Sequence, residues 1–77
     1  MDKKIALIRI GTNIKRIRNE KNRSQQDLAA ACNFEKSNMS RIEAGRTNLT
    51  VGTLLIICEA LQVSLAEVVD VEDLMIQ

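Results

Sequence analysis

The chain has 77 residues, enough for one small domain and too few for a second folded unit. Its composition, 45% hydrophobic and 27% charged, is that of a soluble globular domain, and no apolar run approaches the roughly 18 residues that cross a bilayer. Net charge is only +1, but residues 1–23 hold eight basic and two acidic side chains, residues 24–46 balance, and residues 47–77 hold five acidic and no basic ones. The molecule is a dipole whose basic half suits a polyanion.

With no proline, three glycines and a single aromatic residue, Phe34, the chain reads as all-α rather than β. Cys32 and Cys58 form no CxxC pair and there is no histidine, so neither a metal site nor a disulfide framework has its ligands, and both thiols read as core residues. Without histidine the usual general base near neutral pH is missing, and no glycine-rich phosphate loop or nucleophile elbow is present. Enzymatic function is therefore not expected, and neither is a cofactor. The run Ile5-Ala6-Leu7-Ile8 is broken by Arg9 before a secretory signal can form, which points to the cytoplasm.

Leu7, Ile10, Ile14 and Ile17 recur at spacings of three and four, predicting a first helix over about 6–21. Gly11 inside it costs roughly 1 kcal/mol relative to alanine, so it either permits close packing or marks the junction with an N-terminal arm. Asn22 can take the left-handed conformation that ends a helix. Ser24-Gln25-Gln26-Asp27 has the form of a capping box and predicts a second, short helix over about 25–31. Cys32-Asn33-Phe34-Glu35 then breaks the helix, with the turn centred on Asn33, which takes a positive φ cheaply.

A third helix over about 36–44 puts Met39 and Ile42 inward, leaves Lys36, Ser37, Ser40 and Arg41 outward, and stops at Gly45. Thr50 caps a fourth helix carrying Leu54, Ile57, Cys58 and Leu61, and Ser64-Leu65-Ala66-Glu67 opens a fifth with a second capping box. Two short helices joined by a tight turn, the second polar on its outer face, form a helix-turn-helix, which lays its second helix in the major groove of DNA.

The stretch from Ile10 to Val69 resembles the lambda Cro/C1-type, or XRE, family of helix-turn-helix regulators. Four segments carry the resemblance: I-G-T-N-I-K-R-I-R (10–18), S-Q-Q-D-L-A (24–29), S-R-I-E-A-G (40–45) and A-L-Q-V-S-L-A-E-V (60–68). It implies a five-helix lambda repressor-like fold with helices 2 and 3 as the helix-turn-helix. Residues 1–9 are then an N-terminal arm and the start of helix 1, 10–69 the DNA-binding domain, and 70–77 a C-terminal tail. The implied function is sequence-specific, repressor-like regulation at a double-stranded DNA operator.

By the same resemblance, Lys36, Ser37 and Arg41 read bases, with Asn38 and Ser40 as further candidates; Arg and Lys suit guanine O6 and N7. Ser24, Gln25, Gly45, Arg46 and Asn48 face phosphates, Gln25 from a helix N-terminus that favours anions. Arg18 and Glu43 are expected to form a structural salt bridge that holds helix 3 at its docking angle. The chain departs from the family pattern at Asn22 and Asn33, where glycine is usual. It departs also at Arg23, whose stem is expected to cover the core while its guanidinium reaches out, and at Glu35, a carboxylate in the cap position of the recognition helix.

Because one recognition helix reads only a few base pairs, a homodimer is expected. Its contact would come from Leu55 and Ile56 together with Val69, Val71, Leu74, Met75 and Ile76. Two other readings are compatible with the residues: an antitoxin or accessory regulator whose acidic C-terminal part binds a protein partner, and an interaction module that has lost DNA binding.

Overall fold

The computed structural model describes residues 2–70, which form five helices: α1 (Lys3–Glu20), α2 (Gln25–Cys32), α3 (Lys36–Glu43), α4 (Val51–Leu61) and α5 (Leu65–Val68). The expected dimer residues Val71, Leu74, Met75 and Ile76 lie outside the described residues. None of these helices is long and apolar enough to cross a membrane.

Four of the five helices begin at a capping side chain; α3 is the exception. Ser24 Oγ accepts from the Asp27 amide at 2.9 Å while an Asp27 carboxylate oxygen accepts from the Ser24 amide at 3.3 Å, so α2 has a complete capping box. That bonding holds the Asp27 carboxyl below the usual carboxylate range. Ser64 caps α5 with a second complete box, and Thr50 Oγ1 caps α4 by accepting from the Thr53 amide at 3.1 Å. The first helix starts about one turn earlier than its apolar stripe implies, because Asp2 Oδ1 accepts from the amides of Lys4 and Ile5. Residues 3–5 are thus helix rather than arm.

Four of the helices end alike. After α1, α2, α3 and α4 the chain turns through a left-handed residue, Asn22, Asn33, Gly45 and Gln62. In each case the following amide reaches back to the carbonyl five residues earlier, from Arg23 to Arg18, Phe34 to Ala29, Arg46 to Arg41 and Val63 to Cys58. These are Schellman closures, which satisfy the last carbonyls of each helix.

The core is contiguous. Ile14 and Ile17 of α1 meet Leu28, Ala29 and Cys32 of α2, Met39 and Ile42 of α3, and Ile57 and Leu61 of α4, with Val68 of α5 closing the end. Both cysteines are buried and unpaired, and burial pushes each thiol above its ordinary pKa. Asn13 ties α1 to the C-terminal end of the described chain by donating to the carbonyls of Val68 and Asp70 at 3.0 and 2.9 Å.

Arg23 differs from expectation. Its half-buried guanidinium turns inward and donates through Nη1 to the Ala60 carbonyl in the last turn of α4. A charged donor satisfies that carbonyl at the helix C-terminus, where the dipole favours a cation.

Candidate nucleic-acid interface

The turn between α2 and α3 fixes the angle of the second helix on the first. Asn33, at φ 60°, reverses the chain, Phe34 packs half-buried against the core, and α3 begins two residues later. Met39, Ile42 and Glu43 of α3 face inward. At 3.6 residues per turn this leaves Lys36, Ser37, Ser40 and Arg41 on one exposed face, while Asn38 sits half-buried at its flank. All five candidate base-reading residues are therefore on α3, and four of them project outward together.

Behind that face lies a buried ion pair. Arg18 Nε donates to Glu43 Oε2 at 2.7 Å and Arg18 Nη2 to Glu43 Oε1 at 3.1 Å, a bidentate arrangement. Arg18 Nη1 also donates to the Arg23 carbonyl at 2.9 Å and to Asn19 Oδ1 at 3.3 Å. Gln25 Nε2 completes the cluster with a bond to Glu43 Oε1 at 3.0 Å. A single carboxylate at the end of α3 thus joins the end of α1 and the beginning of α2.

This gives Gln25 a contact that sequence reasoning missed, because nothing local to residues 24–29 records that Glu43 lies above them. One Nε2 hydrogen is engaged and the other is left to point elsewhere. Ser24 caps α2 at the exposed edge of the same helix start.

On the other flank of α3, Gly45 at φ 74° turns the chain, and its amide donates to the Ile42 carbonyl at 3.1 Å while the Arg46 amide donates to Arg41. That bond makes the Gly45 amide part of the closure of α3. Gly45 is required for another reason as well, since a Cβ there would lie 2.6 Å from Ile8 Cα on α1. Arg46 and Asn48 remain exposed beyond it.

Glu35 occupies the N-cap of α3 in an extended conformation but accepts no capping bond through its side chain. It is exposed, and among the described residues no salt bridge joins it to Lys36 or Arg46. The face around α3 therefore carries Lys36, Arg41 and Arg46 with one carboxylate at its edge.

A helix-turn-helix family model, HTH_3, matches residues 14–68, most of the chain. The chain belongs to the helix-turn-helix family. Helix-turn-helix relatives agree with the assignment. An uncharacterized HTH-type transcriptional regulator, y4dJ of Sinorhizobium fredii, is 39% identical over 64 residues, covering 83% of each chain. Among solved structures, the restriction-modification controller protein C.Esp1396I superposes with a TM-score of 0.79 at 36% identity, covering 91% of this chain and 95% of that one. The clp gene regulator ClgR from C. glutamicum superposes with a TM-score of 0.81 at 26% identity, covering 84% of each. As a helix-turn-helix protein of this lambda repressor-like fold, the chain is a DNA-binding regulator of transcription and not an enzyme.

Proposed function

We propose that this regulator binds a specific operator as a two-fold homodimer, with α3 of each protomer in the major groove, and that it acts as a repressor. The observation that carries the reading is the outer face of α3, where Lys36, Ser37, Ser40 and Arg41 stand exposed together while the helix is clamped from behind through Glu43. Arg41 and Lys36 read guanine edges, Ser37 and Ser40 serve either base type or a phosphate, and Asn38 lies within reach at the flank. Ser24, Gln25, Arg46 and Asn48 hold phosphates on either side, and Gly45 shapes that site through its conformation.

Arg41 and Arg46 separate the two kinds of contact. Arg41→Ala is expected to relax base preference at one operator position, at a cost of about 1 to 3 kcal/mol there, and Arg46→Ala to weaken all sequences alike. Titration of each variant against a duplex selected from a random pool, and against its scrambled version, makes the comparison. Equal weakening by Arg41→Ala on both duplexes would remove it from base reading.

Dimerisation follows from the reach of a single recognition helix, which discriminates too little against competing genomic sites. Leu55 and Ile56 on α4 are 51% and 45% exposed, which is high for large apolar side chains and supports an isologous contact in the acidic half. Two-fold symmetry places the recognition helices about 34 to 36 Å apart, so footprinting should show half-sites about 10 to 10.5 base pairs apart centre to centre. A protein that sediments as a monomer on DNA and protects one unrepeated half-site would defeat the dimer.

A further inference from the structure

We propose that the first two turns of α1 make a second stretch of contact with the sugar-phosphate backbone, Lys3 and Lys4 extending onto α1 the track that Arg46 and Asn48 begin. The proposal rests on the reading of α3 as the base-reading helix and deepens it.

The geometry begins at the crossing of α1 over the end of α3. Gly11 lies against the carbonyls of Ile42 and Glu43, and Ile8, nearly one turn closer to the N-terminus, lies against Gly45. Beyond that crossing α1 continues to Lys3, an overhang of roughly 7 Å at 1.5 Å per residue. An open groove of about 710 Å³ separates the overhang from the loop that follows α3. Lys3, Lys4, Leu7 and Ile8 line one wall, and residues 44–48, Arg46 and Asn48 among them, line the other.

The sequence of the α1 wall is informative. Positions 4, 7, 8 and 11 fall on one stripe of a helix, and along it the residue changes from glycine at the backbone contact, through Leu7 and Ile8, to lysine at the mouth. The part of the stripe that packs against its own domain is small or apolar, and the part that clears the domain is cationic. Arg46 faces it across the groove, and among the described residues no carboxylate lines it. The adjacent acidic residue, Asp2, directs its carboxylate to the amides of its own helix.

An apolar floor with a cationic rim fits the edge of a duplex, which presents deoxyribose carbons and phosphates in alternation. The groove is open and continuous with the loop proposed to hold phosphates, so one strand can run from Asn48 and Arg46 to Lys3 and Lys4. Each phosphate neutralised releases counterions and adds about −0.9 to the slope of log affinity against log salt.

The test is the double variant Lys3→Glu/Lys4→Glu, with Arg46→Ala and Lys21→Ala measured beside it. Acidic residues are favoured in the first turn of a helix, so the double variant keeps its helical circular dichroism, and the salt slope reads the contact, because reversed charge also repels DNA at a distance. The salt slope is expected to become shallower by roughly one to two per protomer, with equal weakening on a selected duplex and on its scrambled version. Lys21→Ala, on the α5 side of α1 with Val63 and Glu67, is expected to keep the original slope. An unchanged slope and affinity in the double variant, while Arg46→Ala is weakened, overturns the inference and leaves the α3 reading standing. A loss confined to the selected duplex overturns it also, since that would be base contact. If the unaltered protein shifts no duplex at all, the α3 reading falls and the inference falls with it.

Discussion

Arg18→Ala is expected to remove about 3 to 5 kcal/mol of folding stability, and Glu43→Ala a comparable amount, because each leaves its partner as an uncompensated charge inside the protein. The two side chains are only 9% and 3% exposed, so water cannot take over the lost interaction. Arg18→Ala leaves the Glu43 carboxylate with Gln25 as its remaining side-chain partner. Glu43→Ala leaves the guanidinium with the Arg23 carbonyl and the Asn19 amide oxygen, neither of which carries charge. The double variant removes both charges at once, so its loss should fall short of the sum by about 0.5 to 3 kcal/mol. Urea unfolding of the four proteins measures this directly, and strictly additive losses would show that the pair is not coupled.

A further variant separates stability from orientation. Apolar residues of similar volume at both positions, as in Arg18→Met/Glu43→Leu, should recover most of the lost stability, since well-packed hydrophobic pairs replace buried ion pairs at little cost. They cannot reproduce the bonds from Glu43 to both α1 and α2. The expected result is a folded protein that binds its operator more weakly, which would assign the pair to the placement of α3.

The helices themselves were legible wherever a pattern was local. The stripe of Ile14 and Ile17, the caps Ser24, Thr50 and Ser64, and the asparagines at 22 and 33 each announce an element from within a few residues. Gln62 takes the same left-handed conformation as Asn22 and Asn33, yet glutamine has no short side chain to favour it locally, so that ending was invisible. The early start of α1 was hidden for a related reason. Its first turn has little apolar face to display and depends on the bonds from Asp2.

The outward face of α3 followed from periodicity once Met39 and Ile42 were placed inside. Its surroundings did not, because they depend on contacts between residues distant in sequence: Gln25 with Glu43, Arg23 with Ala60, and Lys3 and Lys4 across a groove from Arg46. The family resemblance supplied the Arg18–Glu43 pair, but not the third partner.

Gly11→Ala should destabilise the protein by about 2 kcal/mol or more, although helix propensity alone predicts a gain of roughly 1 kcal/mol from the same change. The sign is decided by what the new methyl group meets. A Cβ at Gly11 would lie 2.5 Å from the carbonyl oxygens of both Ile42 and Glu43, and backbone atoms cannot swing aside as a side chain can. Relief requires α1 and α3 to separate, which disturbs the packing around Ile42 and stretches the Arg18–Glu43 pair a short distance along the same contact. Overpacking of this kind costs typically about 1 to 3 kcal/mol, and for a chain of this size each kcal/mol lowers Tm by roughly 4 to 8 °C. Gly52→Ala provides the contrast within the same molecule. Gly52 is in the first turn of α4, where a Cβ meets only Thr50 Oγ1 at 3.7 Å, an ordinary contact, so there propensity should win and Tm should rise. Opposite shifts in the two melting curves are the expected result. If Gly11→Ala raises Tm as Gly52→Ala does, α1 and α3 do not approach at backbone distance in solution, and the angle of α3 must be held by the ion pair alone.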